Sequence, residues 1–232
     1  MTYITGDTHG DFSRYNSYDR YGIGEGDVVV ILGDAGLNYY ENNSDRKKKK
    51  FVSEFPFTTF CIHGNHEKRP FDIPTYLEKE FNGGIVYYEP EFPNILFAKD
   101  GEVYDFDGLK CIVIGGAYSV DKEYRLLRGY KWFYNEQPSE EIKQYVESQL
   151  EKYDYKIDVV LSHTCPIDYE PIEMFLPGID QRKVDSSTEE WLGEIEKILD
   201  YRKWYCGHWH TSKKIDKMQF MFEDVSDLSP NV

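Results

Sequence analysis

All six histidines of this 232-residue chain fall within a set of five short polar stretches: Asp7-Thr8-His9-Gly10, Gly33-Asp34, His63-Gly64-Asn65-His66-Glu67, Ser162-His163-Thr164 and Gly207-His208-Trp209-His210. Histidines kept only for packing would be scattered. Gathered with two aspartates and an asparagine, they read as ligands. Carboxylate, carboxamide and imidazole make an oxygen and nitrogen donor set that suits two divalent first-row cations. The pattern points to a metal-dependent hydrolase, with phosphate esters as the leading substrate class.

Donors so far apart in the chain need a scaffold that gathers them. Four of the stretches directly follow apolar runs with the composition of buried strands, at 3–5, 28–32, 57–62 and 159–161, and the fifth follows 203–206. Apolar runs alternate with helical candidates in the first half, as parallel strands joined by crossovers do. Helices are predicted over 46–55 and 139–153, the second capped by Ser139 after Pro138 with Glu140 and Glu141 in its first turn. Another is predicted over 188–199, where Ser187 and Glu190 match a capping box. A hairpin is expected from 103–106 through Asp107-Gly108 to 109–114, and a second from 213–215 to 218–222. Strands of both senses with flanking helices imply an α/β fold of mixed sheets, the ligand stretches gathered at one edge.

The sequence suits a single domain over 1–232, with 40% apolar residues, 20 Tyr and 14 Phe to fill a core. The small polar residues at 224–232 form a candidate mobile tail. Lys and Arg total 27 against 42 Asp and Glu, a formal charge of −15, which disfavours long nucleic acid and anionic membrane as partners. Cys61, Cys111, Cys165 and Cys206 are widely spaced without a CxxC pair and read as buried free thiols in a reducing compartment. No basic apolar leader precedes the first strand, and no apolar run approaches the roughly 20 residues that cross a bilayer. The expected location is cytoplasmic, with no membrane partner, and the oligomeric state is left open.

The order of the stretches resembles the calcineurin-like metallophosphoesterase superfamily, whose pattern runs D-x-H, G-D, G-N-H-[DE], a lone H, then G-H-x-H. Every block is present in order from Asp7 to His210. The resemblance implies a four-layer α-β-β-α sandwich with a dimetal site at the strand-end loops. It also implies that Asp7, His9 and His210 hold one metal, that Asn65, His163 and His208 hold the other, and that Asp34 bridges them. By the same resemblance a metal-bridging hydroxide attacks phosphorus in line, and His66 protonates the departing oxygen or binds the phosphoryl group. Manganese leads the candidate metals, with Fe, Zn, Ni and Co also compatible with such ligands. The spacing of Asp7 and His9 fits an extended strand end, where residues i and i+2 point the same way.

The second block departs from the Ser/Thr protein phosphatases, which extend it to G-D-x-V-D-R-G. Here Leu37 stands for the second Asp and Asn38 for the phosphate-binding Arg. The expected protein is therefore a small bacterial or phage-type member acting on a phosphorylated small molecule or nucleotide. Protein phosphatase or nuclease activity at the same site, or a non-catalytic scaffold, are the alternatives. His63 has no ligand role in the pattern and reads as a partner behind the ligands or a core histidine. Glu67 either orients His66 or is a solvent-exposed carboxylate at a helix start. Asp11 reads as a helix cap, and the run Arg46 to Lys50 as a solvated helix face. Residues 115–138 hold Tyr118, Lys122, Arg125 and Arg128, and form either a packed surface excursion or a substrate wall of arginine forks and aromatic faces.

Overall fold

Strands β1 (Thr2–Thr5), β2 (Val28–Ile31) and β3 (Thr58–Cys61) are short runs rich in β-branched and aromatic side chains, almost wholly buried. Residues buried on both faces are what central parallel strands require, and these three pair in parallel. The structure, a computed structural model, describes residues 1–228. Beyond β3 the first sheet continues through β6 (Ile95–Ala98), β5 (Gly84–Tyr88) and β4 (Leu77–Phe81), the last two antiparallel. The second sheet has parallel strands β8 (Leu109–Ile114), β9 (Val159–Ser162), β10 (Lys203–Cys206) and β12 (Met218–Phe220). Its antiparallel edges are β7 (Val103–Phe106) and β11 (Lys213–Ile215).

The strand period of two divides the core into layers. Val28, Val30 and Leu32 face inward with Phe60, Tyr104, Val113 and Leu161, joining the two sheets, whereas Val29 and Ile31 face outward. The outer face of the first sheet is covered by Val52 of helix α1 (Asn43–Ser53) and by Tyr15 and Tyr18 of a 3-10 segment, Ser13–Tyr21. The second sheet is covered by Val146 and Leu150 of α3 (Glu140–Lys152) and by Leu192 and Ile195 of α4 (Ser187–Ile198). The result is the expected α-β-β-α sandwich of two mixed sheets. Phe60, fully buried between the sheets, is a keystone whose truncation to Ala would cost about 3–5 kcal/mol.

Local chemistry sets the ends. Ser139 caps α3 by accepting from the Ile142 amide, and Asn42 starts α1 earlier than the basic run suggests by accepting from Ser44 N at 2.8 Å. The capping box expected at Ser187 does not form; Asp185 Oδ1 accepts from Ser187 N at 3.1 Å and begins α4 instead. A third hairpin, β4–β5, turns at Asn82-Gly83 with φ of +49° and +85°, the positive values a two-residue turn needs. In the expected mobile tail 224–232, β13 (Val225–Asp227) pairs antiparallel with β1, and 229–232 lie outside the described residues. The four cysteines are buried and free. Among the described residues no helix is long and apolar enough to cross a membrane.

Candidate metal centre

The carboxyl ends of five strands deliver the polar stretches to one place. Asp7 and His9 follow β1, Asp34 follows β2, Asn65 and His66 follow β3, His163 follows β9, and His208 and His210 follow β10. His9, Asp34, His208 and His210 all hold positive φ, at 47°, 47°, 63° and 47°. Non-glycine residues in this region are strained and concentrate at functional sites. The strand-end geometry expected for Asp7 and His9 is thereby corrected. β1 ends at Thr5, and the left-handed turn at His9, not extended alternation, brings its Nε2 to 3.8 Å from Asp7 Oδ2. Gly64 makes room for Asp34: a Cβ there would lie 2.0 Å from Asp34 Oδ1.

Two donor groups result. In the first, His210 Nε2 lies 3.3 Å from Asp7 Oδ2 and 2.8 Å from His9 Nε2. In the second, Asn65 Oδ1 lies 2.8 Å from His163 Nε2 and 3.1 Å from His208 Nδ1. Asp34 Oδ2 sits between them, 3.9 Å from His9 Nδ1 and 3.8 Å from His163 Nε2. The candidate ligand sets Asp7, His9, His210 and Asp7, Asp34, His163 each offer atoms within 4.8 Å of one another.

The hydrogen-bond roles around His163 test whether cations fit. Leu32 O, 2.8 Å from His163 Nδ1, can only accept, so Nδ1 carries a proton. The amide of Asn65 is fixed by a relay in which Ser119 Oγ donates to Glu136 and accepts from Asn65 Nδ2, turning Asn65 Oδ1 toward the imidazoles. A neutral His163 then faces Oδ1 with a bare Nε2 lone pair. A cation bound between the two atoms removes that repulsion. Asp7 Oδ2 is likewise buried without a hydrogen-bond donor. The donor set fits metal ions.

Electrostatics agree. Burial opposes ionisation of Asp7 and Asp34, yet the His210 contact at Asp7 and the surrounding imidazoles hold both carboxyls below their usual range. Burial lowers His208 to about 3, which keeps the ring neutral, the form that ligates.

His66 is not among these donors. Its backbone N–H donates to Asp34 Oδ1 at 2.8 Å, and its Nε2 opens toward a cavity of about 450 Å³, 3.2 Å from Arg125 Nη2. Burial lowers its pKa, with Asp34 opposing. Arg125 belongs to helix α2 (Lys122–Arg128), and Asp121 accepts its Nε at 2.8 Å on both oxygens. Of residues 115–138, Ser119, Val120, Asp121 and Arg125 line the cavity. Tyr118, Lys122 and Arg128 do not line it; Lys122 lies over Trp132 and Arg128 over Tyr124. His63 lines a separate cavity of about 230 Å³ with Arg69 and Tyr145, and both its ring nitrogens lack hydrogen-bond partners. Glu67 is fully buried, not exposed, and accepts from Gly64 N at 3.2 Å, so it braces the turn. Sequence reasoning missed the Ser119–Glu136 relay and the wall at 170–184, neither of which has a local motif.

A solved crystal structure superposes with a TM-score of 0.51 at 14% identity, covering 95% of this chain and 88% of that one, which supports the fold. Phosphopantetheinyl hydrolase from Mycobacterium tuberculosis superposes at 0.46 and 14% identity, over 95% of this chain and 87% of its own. No curated protein matched the sequence. A family model does match, over residues 2–212, and with the ordered motifs and the sandwich it establishes that this chain belongs to the calcineurin-like phosphoesterase family.

Proposed function

We propose that this chain hydrolyses small phosphate esters with two divalent cations. Asp7, His9 and His210 would hold one, Asn65, His163 and His208 the other, and Asp34 would be shared. The observation that carries the reading is the crowding of ligand nitrogens and oxygens around Asn65 Oδ1 and around Asp7 Oδ2, which is buried with no hydrogen-bond partner. Bound cations of this kind activate water and clamp phosphoryl oxygens.

The chain's own residues supply the rest. His66 protonates the departing oxygen. Burial lowers its pKa, and an incoming phosphoryl charge favours its protonated form. Arg125 binds the phosphoryl oxygens; its Nε is tied to Asp121 while Nη2 faces the cavity beside His66. Asp121 and Arg125 thus bring to His66 the carboxylate and guanidinium that Leu37 and Asn38, both buried, do not provide. Hydrolysis of p-nitrophenyl phosphate and its bis ester with added Mn tests the reading. Turnover of either supports it, and none by the Mn-loaded chain contradicts it.

A further inference from the structure

We infer that the alcohol of the substrate is apolar: a phosphate ester carrying an alkyl or similarly water-poor group that lies along the cavity wall facing the metal ligands. The inference rests on the phosphoesterase reading and narrows it. The cavity has two unlike sides. His9, Asn65, His66 and Arg125 supply the polar part; Met174, Phe175, Leu176 and Ile179 of the 170–184 segment, with Trp209 against Phe175, supply the apolar part. The apolar side begins at a candidate ligand. The Trp209 ring lies 5.3 Å from the ring of His208, and Phe175 stacks on Trp209 at 5.8 Å and 28°. A phosphate ester held at the donors therefore has Trp209 and Phe175 within reach of its alcohol.

The surface outside repeats the theme. Helix α2 buries none of its residues, so its Leu126 and Leu127 serve no core, and Leu127 is 84% exposed. On the 170–184 segment Ile172 is 74% exposed, and Leu176, which does line the cavity, is 53% exposed. Exposed apolar side chains on the two segments that supply the lining fit a binding surface. Charge narrows the ligand further. Arg125 is the only lysine or arginine among the described residues that line the cavity, enough for one phosphoryl group and poor for a polyphosphate. Glu170 and Gln181 are the polar groups on the apolar side, too few donors to read a base and a ribose.

The test is a series of ethyl, butyl, hexyl and octyl phosphates kept below aggregation, with AMP as comparator, using Mn-loaded protein and phosphate release. The leaving alcohols are nearly equal in acidity, so chain length reports contact. KM should fall about two- to fourfold per methylene with kcat nearly flat, as uniform binding of apolar surface predicts. In Leu176→Asn/Ile179→Asn the hexyl-to-ethyl ratio of kcat/KM should collapse toward one. A flat series, or AMP favoured over hexyl phosphate, overturns the inference. So does a flat series with sedimentation showing a dimer that Leu127→Asp dissolves, since the apolar mouth would then serve a second copy. Turnover of every ester with a flat series refutes the apolar wall alone. Absent turnover of all esters refutes the phosphoesterase reading, and calorimetry with ethyl- and hexylphosphonate then decides the wall: at least tenfold tighter binding of hexyl supports it, and equal binding overturns it.

Discussion

Replacing Gly33 by Ala should unseat His163. Gly33 has φ +102°, and a Cβ there would lie 2.0 Å from His163 Nδ1, 2.6 Å from Cγ and 2.7 Å from Cε1. The ring must retreat by well over an ångström to reach van der Waals contact. It has nowhere to go without losing its bond to Leu32 O at 2.8 Å and its place beside Asn65 Oδ1. A buried partner left unsatisfied costs about 1–3 kcal/mol. The left-handed backbone adds about 1–2 kcal/mol for a residue with a Cβ. The sum is roughly 2–5 kcal/mol of stability. Metal ligands tolerate shifts of only about 0.2 Å, so Mn affinity should also fall at least tenfold. Gly108→Ala is the control, because Gly108 has φ +81° with nothing within 4 Å of a new Cβ. Urea unfolding and Mn calorimetry on both variants separate backbone from clash. Equal, small losses in the two, with Mn binding unchanged, would refute the placement of His163.

Three further outcomes follow from the site. His66→Asn should keep its metals while losing about 10²–10⁴-fold in rate on alkyl esters and less on esters of acidic phenols; an equal loss on both removes the acid role. Arg125→Gln should lower kcat/KM on p-nitrophenyl phosphate by about 10–100-fold, the worth of a charged hydrogen bond, and unchanged kinetics would remove Arg125 from the phosphoryl site. Glu67 is pushed up to about 8 by burial and then by Asp34. The folded chain thus holds a proton that the unfolded chain releases above its ordinary value of 4.5, and stability falls as pH rises from about 5 to 8. In the metal-free protein Glu67→Gln should gain on wild type across that window, as urea midpoints at pH 5.5, 7 and 8.5 would register, and a pH-independent difference contradicts it.

The candidate ligand stretches were legible because strand composition and donor chemistry coincide there: each of the five apolar runs is followed within two residues by a histidine or a carboxylate. The antiparallel extension was not. β4 reads Leu-Glu-Lys-Glu-Phe, largely exposed at a sheet edge, and offers no apolar alternation, although the Asn82-Gly83 turn was a usable signal. Helix α2 was invisible for a related reason, since a helix with no buried face carries no amphipathic period. Arg125 was one of four basic or aromatic candidates, and only the three-dimensional path of α2 separates it from Lys122 and Arg128. The relay runs from Asn65 through Ser119 to Glu136, residues far apart in the chain that no local pattern links.

The central claim is that seven side chains from five strand ends hold two cations that share Asp34. The most direct measurement is elemental analysis of protein stripped with chelator and reloaded with Mn, with ester hydrolysis followed in parallel. Wild type should bind two ions per chain and regain turnover only when loaded, while Asp34→Asn should lose metal and rate together. One ion per chain after excess Mn, or turnover that survives verified metal removal, would contradict it.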